Sequence, residues 1–361
     1  MQGRWVQPFA GSNLITEEKI LSTRHAWQQE LSRAITRPEE LIRVLDLDRG
    51  LLPAAYAAAK RFGLLVPRSY VALMAPSEPQ DPLLRQVLPL AEELWSPPGF
   101  STDPVGERAA VCTPGLLRKY QGRALLLLTG ACAIHCRYCF RRHFPYREDS
   151  AQLDRAAGAV RRLAEDPSIR EVILSGGDPL MLDDEPLAIL IGKLEEIPHL
   201  RRLRLHTRLP IVLPARVTDR LCHILSASRL QPVMVVHTNH ARELGSAARS
   251  ALERLRNAGV LLLNQSVLLR GVNDSAHRLA ALSETLFECA VVPYYLHLLD
   301  RVLGAAHFES DEATAIEILD QLRTLLPGYL VPRLVKETAG EPYKIPLGLY
   351  KLDTKTKKGA L

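Results

Sequence analysis

The chain has 361 residues, 47% of them hydrophobic, enough to bury a large core; it is longer than one average domain and short for three. Its formal charge of +6 is spread along the chain, as in Arg161-Arg162 and Arg201-Arg202, and only 6% of residues are aromatic, so the stripe of cations and rings of a nucleic-acid binder is missing. No apolar run approaches the roughly 18 residues that cross a bilayer, and residues 1–20 are broken by polar side chains, so a cytoplasmic chain with no membrane partner is expected.

Residues 1–105 have no strand rhythm and predict an N-terminal helical region, with helices over 26–35, 38–47, 53–62 and 82–94. Pro38 and Pro82 stand where a first helical turn tolerates proline. The stretch 96–106, with three prolines and two glycines, reads as a connector.

From residue 106 to 328 short apolar runs alternate with amphipathic segments. The runs 124–129, 171–174, 203–206, 233–237, 260–263 and 291–295 predict strands, separated by helices over 153–164, 187–196, 219–226, 243–257 and 276–288. Six strand-helix units of even spacing predict a parallel α/β barrel, whole or partial. Such a barrel does its chemistry at the carboxyl ends of its strands. Polar residues follow each run in turn: the cysteines, Ser175 to Asp178, His206 to Arg208, His237 to His240, Asn264 to Ser266, and Tyr294 to His297 with Asp300. They predict one shared site. Residues 329–361 form a C-terminal segment whose basic end, Lys355 to Lys358, reads as a solvated tail.

Cys112, Cys222 and Cys289 are scattered and read as small buried hydrophobes. Cys132, Cys136 and Cys139 instead have the spacing C-x3-C-x2-C, with Phe140 beside the third. Three thiolates can bind three irons of a 4Fe-4S cube and leave the fourth open to a small molecule. A zinc knuckle completed by His135 or His143, or a plain electron carrier, are the alternatives that this spacing leaves open.

The cysteine loop resembles the radical S-adenosylmethionine (SAM) signature, and Ser175-Gly176-Gly177-Asp178-Pro179 is similar to that superfamily's glycine-rich motif. The expected fold is then the radical SAM partial (βα)6 barrel. Over 38–349 the resemblance narrows to lysine 2,3-aminomutases, on the stretches 118–123 (RKYQGR), 139–144 (CFRRHF), 175–180, 237–240 (HTNH), 264–274, 293–297 and 304–308. The helical front and residues 140–146 look closest to the short branch, the elongation factor P (R)-β-lysine aminomutases.

This resemblance implies a 4Fe-4S cluster on Cys132, Cys136 and Cys139, and SAM at its open iron. Ser175, Gly176, Gly177 and Asp178, with His237, Asn239, Asn264 and Gln265, are implied as cofactor-binding residues. It further implies pyridoxal 5′-phosphate, held as a Schiff base by Lys344 in the segment GEPYKIP (340–346), with Lys119, Tyr120 and Arg123 at its phosphate. Lys119 replaces an arginine of relatives. Arg141 is implied to grip the carboxylate of lysine, and Asp300 and Glu337 its ammonium, Glu337 replacing an aspartate. The implied reaction begins with a 5′-deoxyadenosyl radical that takes hydrogen from Cβ of lysine; the α-nitrogen then migrates, giving β-lysine. Implied partners are lysine, a flavodoxin or ferredoxin as reductant, and, indirectly, elongation factor P and its lysyl-transferring ligase. Without the zinc-binding cysteines of longer relatives, no zinc is expected, and an assembly smaller than their tetramer. Supply of free β-lysine for metabolism or osmoprotection is the nearest alternative, and a cluster-bearing module for RNA or a ribosomal partner the most distant.

Overall fold

The computed structural model describes residues 25–146 and 153–348; the basic tail and the first 24 residues lie outside them. One sheet of ten strands runs in chain order, β1 (Val111–Thr113), β2 (Leu116–Leu117), β3 (Arg123–Thr129), β4 (Glu171–Gly176), β5 (Arg202–Thr207), β6 (Gln231–Val236), β7 (Leu261–Val267), β8 (Val292–His297), β9 (Arg333–Lys336) and β10 (Ile345–Pro346). Strands β3 to β9 are all parallel, each to the next, whereas β1, β2 and β10 pair antiparallel at the edges. Helices make the returns, as parallel neighbours require.

The strand sequences explain the two-sided burial. Val172 and Leu174 of β4, Leu203 and Leu205 of β5, and Met234 and Val236 of β6 join the main core. The intervening residues, such as Ser175 and His206, take the opposite face because side chains alternate along a strand, and His237 follows the end of β6. On the helix Asp184–Glu195, Leu187, Leu190, Ile191 and Leu194 fall on the i, i+3, i+4, i+7 stripe that such a core needs.

All six expected strands are present, and residues 26–32, 38–44 and 52–61 are helical. The expected helix over 82–94 is instead a short turn, Pro82–Arg85, and a 3-10 turn, Ala91–Leu94. Pro89 between them has no N–H to donate and turns the residue before it away from helical angles. The helix Glu312–Leu325 and strands β9 and β10 were not expected. Trp27, Ile35, Leu41, Leu83 and Leu84 of the N-terminal region share one core with Leu126, Val172 and Leu205 of the barrel.

Candidate active site

The cysteine loop leaves β3 and is pressed against the end of β4. Gly177 N–H donates to Thr129 O at 2.7 Å and Asp178 N–H to Ala131 O at 2.9 Å. A Cβ on Gly177 would stand 2.3 Å from Ala131 O, and one on Gly176 2.4 Å from Thr129 O, so only glycine allows this approach. Asp178 ties β4 to β5: its carboxylate accepts from Leu180 N–H, Arg208 N–H and the Thr207 hydroxyl. Burial pushes its carboxyl up to about 6.

Burial also pushes the Cys132 thiol well up, and Cys139 to about 11, with neighbouring cysteines adding to both. Thiols in this state become thiolates only when a metal replaces the proton. Among the described residues no three His, Cys, Asp or Glu side chains converge to hold a single ion. Three thiolates that each take a different iron of a cube do not have to meet at a point. His135 and His143 turn to backbone carbonyls, Nδ1 of the first to Gly63 O at 2.9 Å and Nε2 of the second to Leu303 O at 3.2 Å.

The N-terminal region holds the loop from behind. Glu93 accepts a two-point contact from Arg137, at 2.8 and 2.5 Å, and a third bond from Arg142 at 2.8 Å. Arg208 reaches Cys136 Sγ with Nη1, at 2.7 Å, and Gln86, Glu243 and Tyr70 with Nη2. Glu93 and Gln86 were not singled out in the sequence, since an acid between helices or a glutamine in a turn has no local signal; Arg208 was placed at a strand end, but without its partners.

Across the site, β10 pairs with β9 so that Ile345 faces Lys336, and this register carries Lys344 to Glu337. One Glu337 oxygen accepts from Lys344 Nζ and the other from Lys119 Nζ. Burial works against the charge of Glu337, yet the ammonium groups of Lys344 and Lys119 hold its carboxyl down at about 2. Tyr120 lies beside Glu337, and burial raises its hydroxyl above the usual range. The Arg123 guanidinium sits 4.6 Å over the Tyr120 ring, with no hydrogen-bonded partner among the described residues.

Asp300 follows β8 and has no hydrogen-bonded side-chain partner among the described residues. Burial, then the charge of Glu337, push its carboxyl up to about 7. Arg141 is gripped by Glu107 at 2.7 and 2.6 Å and also donates to Ser175 Oγ at 2.9 Å. Burial opposes its charge, but Glu107 holds the guanidinium protonated.

Between these groups stand His206, His237 and His297, each with a buried Nε2 that has no partner. His206 and His237 meet edge-to-face at 5.6 Å. Burial first, then nearby cations that include Lys344, keeps all three neutral, His237 at about 3. Unpaired buried imidazole nitrogens cost free energy unless a bound molecule satisfies them, about 1 to 3 kcal/mol each. The cluster therefore suits a polar ligand.

The remaining expected residues are placed differently. Asn239 donates to Gln86 and Tyr138 and accepts from Val267 N–H, so its amide is spent on the frame. Asn264 likewise is spent on Thr238 and Ser266. Gln265 is half-buried on β7, two residues before Val267.

Residues 126–282 match the model of the Radical SAM superfamily. The chain is 51% identical over 328 residues to L-lysine 2,3-aminomutase of Escherichia coli, covering 91% of this chain and 96% of that one. It is 46% identical to the protein of the same name from Haemophilus influenzae, covering 92% and 98%. A solved radical SAM methyltransferase from Sphaerobacter thermophilus aligns at 16% identity with a TM-score of 0.43, over 61% of this chain and 68% of that one.

Proposed function

Because the chain belongs to the L-lysine 2,3-aminomutase family of radical SAM isomerases, we propose that it converts L-α-lysine to (R)-β-lysine with a 4Fe-4S cluster, SAM and pyridoxal 5′-phosphate. The observation that carries this reading is the cluster of His206, His237 and His297, neutral and each with an unpartnered buried Nε2, within electrostatic reach of Lys344.

Cys132, Cys136 and Cys139 would hold the cluster, and the backbone of Ser175 to Asp178, with His237, would border SAM. Lys344 would hold pyridoxal phosphate, with the free Arg123 guanidinium, Lys119 and Tyr120 toward its phosphate. When bound, these groups supply a carbon radical and a π-system joined to the substrate nitrogen. The chain's own share is to bind, orient and exclude water, since a primary radical attacks whatever it meets. Arg141, whose Nε and Nη2 are held by Glu107, would reach the lysine carboxylate with Nη1, the nitrogen that donates to Ser175 Oγ. Asp300 is the acid left without a hydrogen-bonded partner, and a bound ammonium would return its carboxyl to the charged form. Glu337, with both oxygens taken, orients Lys344 before it meets the ammonium. Asn239 and Asn264 act through the frame, and Gln265 from the half-buried face of β7.

We read the chain as an N-terminal region, 1–105, a barrel region, 106–328, and a C-terminal segment, 329–361; within the described residues the first clamps the cysteine loop and the last adds the strands that deliver Lys344. No helix among the described residues is long and apolar enough to cross a membrane. The family resemblance is what supports a cytoplasmic enzyme served by a flavodoxin or ferredoxin. The likeness of residues 140–146 to the short branch supports modification of elongation factor P as the fate of the product, and an assembly below a tetramer without zinc. Anaerobic incubation with SAM, pyridoxal phosphate, dithionite and L-lysine, followed by chiral analysis, tests the reading. (R)-β-lysine is expected; lysine returned unchanged by protein loaded with both cofactors overturns it.

A further inference from the structure

Cys136 is the one thiol of the three that receives a hydrogen bond from a guanidinium among the described residues, from Arg208 Nη1 at 2.7 Å. Both terminal nitrogens of Arg208 are held, while its buried Nε has no partner among the described residues. Its own backbone N–H donates to Asp178 at 2.7 Å, its Nη2 donates to Gln86 at 2.7 Å and Glu243 at 2.8 Å, and the rings of Tyr70 and Tyr138 lie 5.5 and 5.7 Å from its carbon. Arg208 is 5% exposed and Glu243 fully buried, so water screens neither charge. Glu243 is pinned in turn by the N–H groups of Asn239 and His240. The result is a rigid pair with its positive end toward a cysteine sulfur and its negative end turned away.

We propose that Arg208 is a positioning residue that sets the reduction potential of the cluster through Cys136, with Glu243 tempering the effect. The proposal rests on the reading of Cys136 as an iron ligand. One-electron reduction adds negative charge to the iron-sulfur-thiolate unit, and a donor to a ligand sulfur favours the more negative state. Arg208 therefore raises the potential, easing electron entry from the reductant. The carboxylate of Glu243 acts on the same unit with opposite sign and from farther away. A purely structural plug would give no such pair of opposed effects.

The test is a redox titration of reconstituted full-length protein followed by electron paramagnetic resonance, with iron counted on every sample. Arg208→Gln is expected to lower the midpoint so that the ratio of reduced to oxidised cluster at a fixed ambient potential falls about tenfold, about 59 mV for one electron. Arg208→Lys, which keeps the charge, should return most of that shift. Glu243→Gln should move the midpoint upward. An unchanged midpoint in iron-replete Arg208→Gln overturns the proposal, as do equal shifts in the Gln and Lys variants. If Arg208→Gln fails to hold iron, Glu243→Gln decides: a rise supports the proposal, and no change or a fall overturns it. Failure of the ligand reading is seen separately, as full iron occupancy in Cys136→Ala.

Discussion

On the cysteine side of the site the partners are buried and redundant: Arg137, Arg142 and Glu93 expose 2% or less of their side chains, and each bond is backed by another. On the lysine side, Lys119, Lys344 and Glu337 expose 13–19%, and Lys344 stands just before the two-residue strand β10. The difference follows the work proposed for each side. A cluster must stay in one place and away from solvent, whereas a lysine that holds pyridoxal phosphate has to release it to the substrate amine. Deep ion pairs suit the first, and a partly exposed pair beside a short edge strand suits the second.

The sharpest way to break this comparison is to remove its ends. Alanine at Cys132, Cys136 and Cys139 together should abolish iron binding and all turnover, measured by iron content after reconstitution; four irons retained would sink the assignment. Lys344→Ala should abolish turnover equally while leaving iron intact. Borohydride reduction of wild type should fix pyridoxal to the peptide that carries Lys344, and label on Lys336 instead would show that the wrong lysine was chosen.

The rigid side can be loosened without touching a cysteine. Glu93→Ala leaves two buried guanidinium groups without their acid and should cost about 3 to 5 kcal/mol of stability, read by chemical denaturation. Iron should then be lost faster on dilution into chelator. A variant as stable as wild type would mean that the N-terminal clamp is dispensable.

On the lysine side, Asp300→Asn should lower kcat/KM for lysine by one to several orders of magnitude and narrow its advantage over norleucine, which has no ammonium. The pH profile sharpens this. With its carboxyl raised to about 7, folded Asp300 keeps a proton that the unfolded chain loses near the ordinary value of about 4, so its ionisation withdraws stability as pH rises across that window. A lysine ammonium needs the ionised form, so kcat/KM should climb through an apparent value near 7 in wild type and lose that limb in Asp300→Asn. Glu337→Gln should have the smallest effect, a slower capture of pyridoxal phosphate, followed by absorbance, with most of the lysine preference kept. A loss of preference as large as that of Asp300→Asn would move Glu337 to the ammonium.

Local pattern alone made the barrel legible: six apolar runs with polar residues at each carboxyl end, and C-x3-C-x2-C after the first run, are periodicity and spacing, which neighbours in sequence carry. Gly176 and Gly177 were likewise visible as a motif. Only the tertiary structure decided who occupies whom. Glu107 takes the fork of Arg141, Glu337 takes Lys119 and Lys344 together, and Asn239 and Asn264 spend their amides on the frame, through contacts that reach up to 218 positions along the chain. The short strands β9 and β10 escaped notice because four and two residues carry no period, and a neighbouring strand lends them their shape. Glu93 escaped for a related reason: a charge is assigned to a surface by default, and its burial depends on the distant partner that neutralises it.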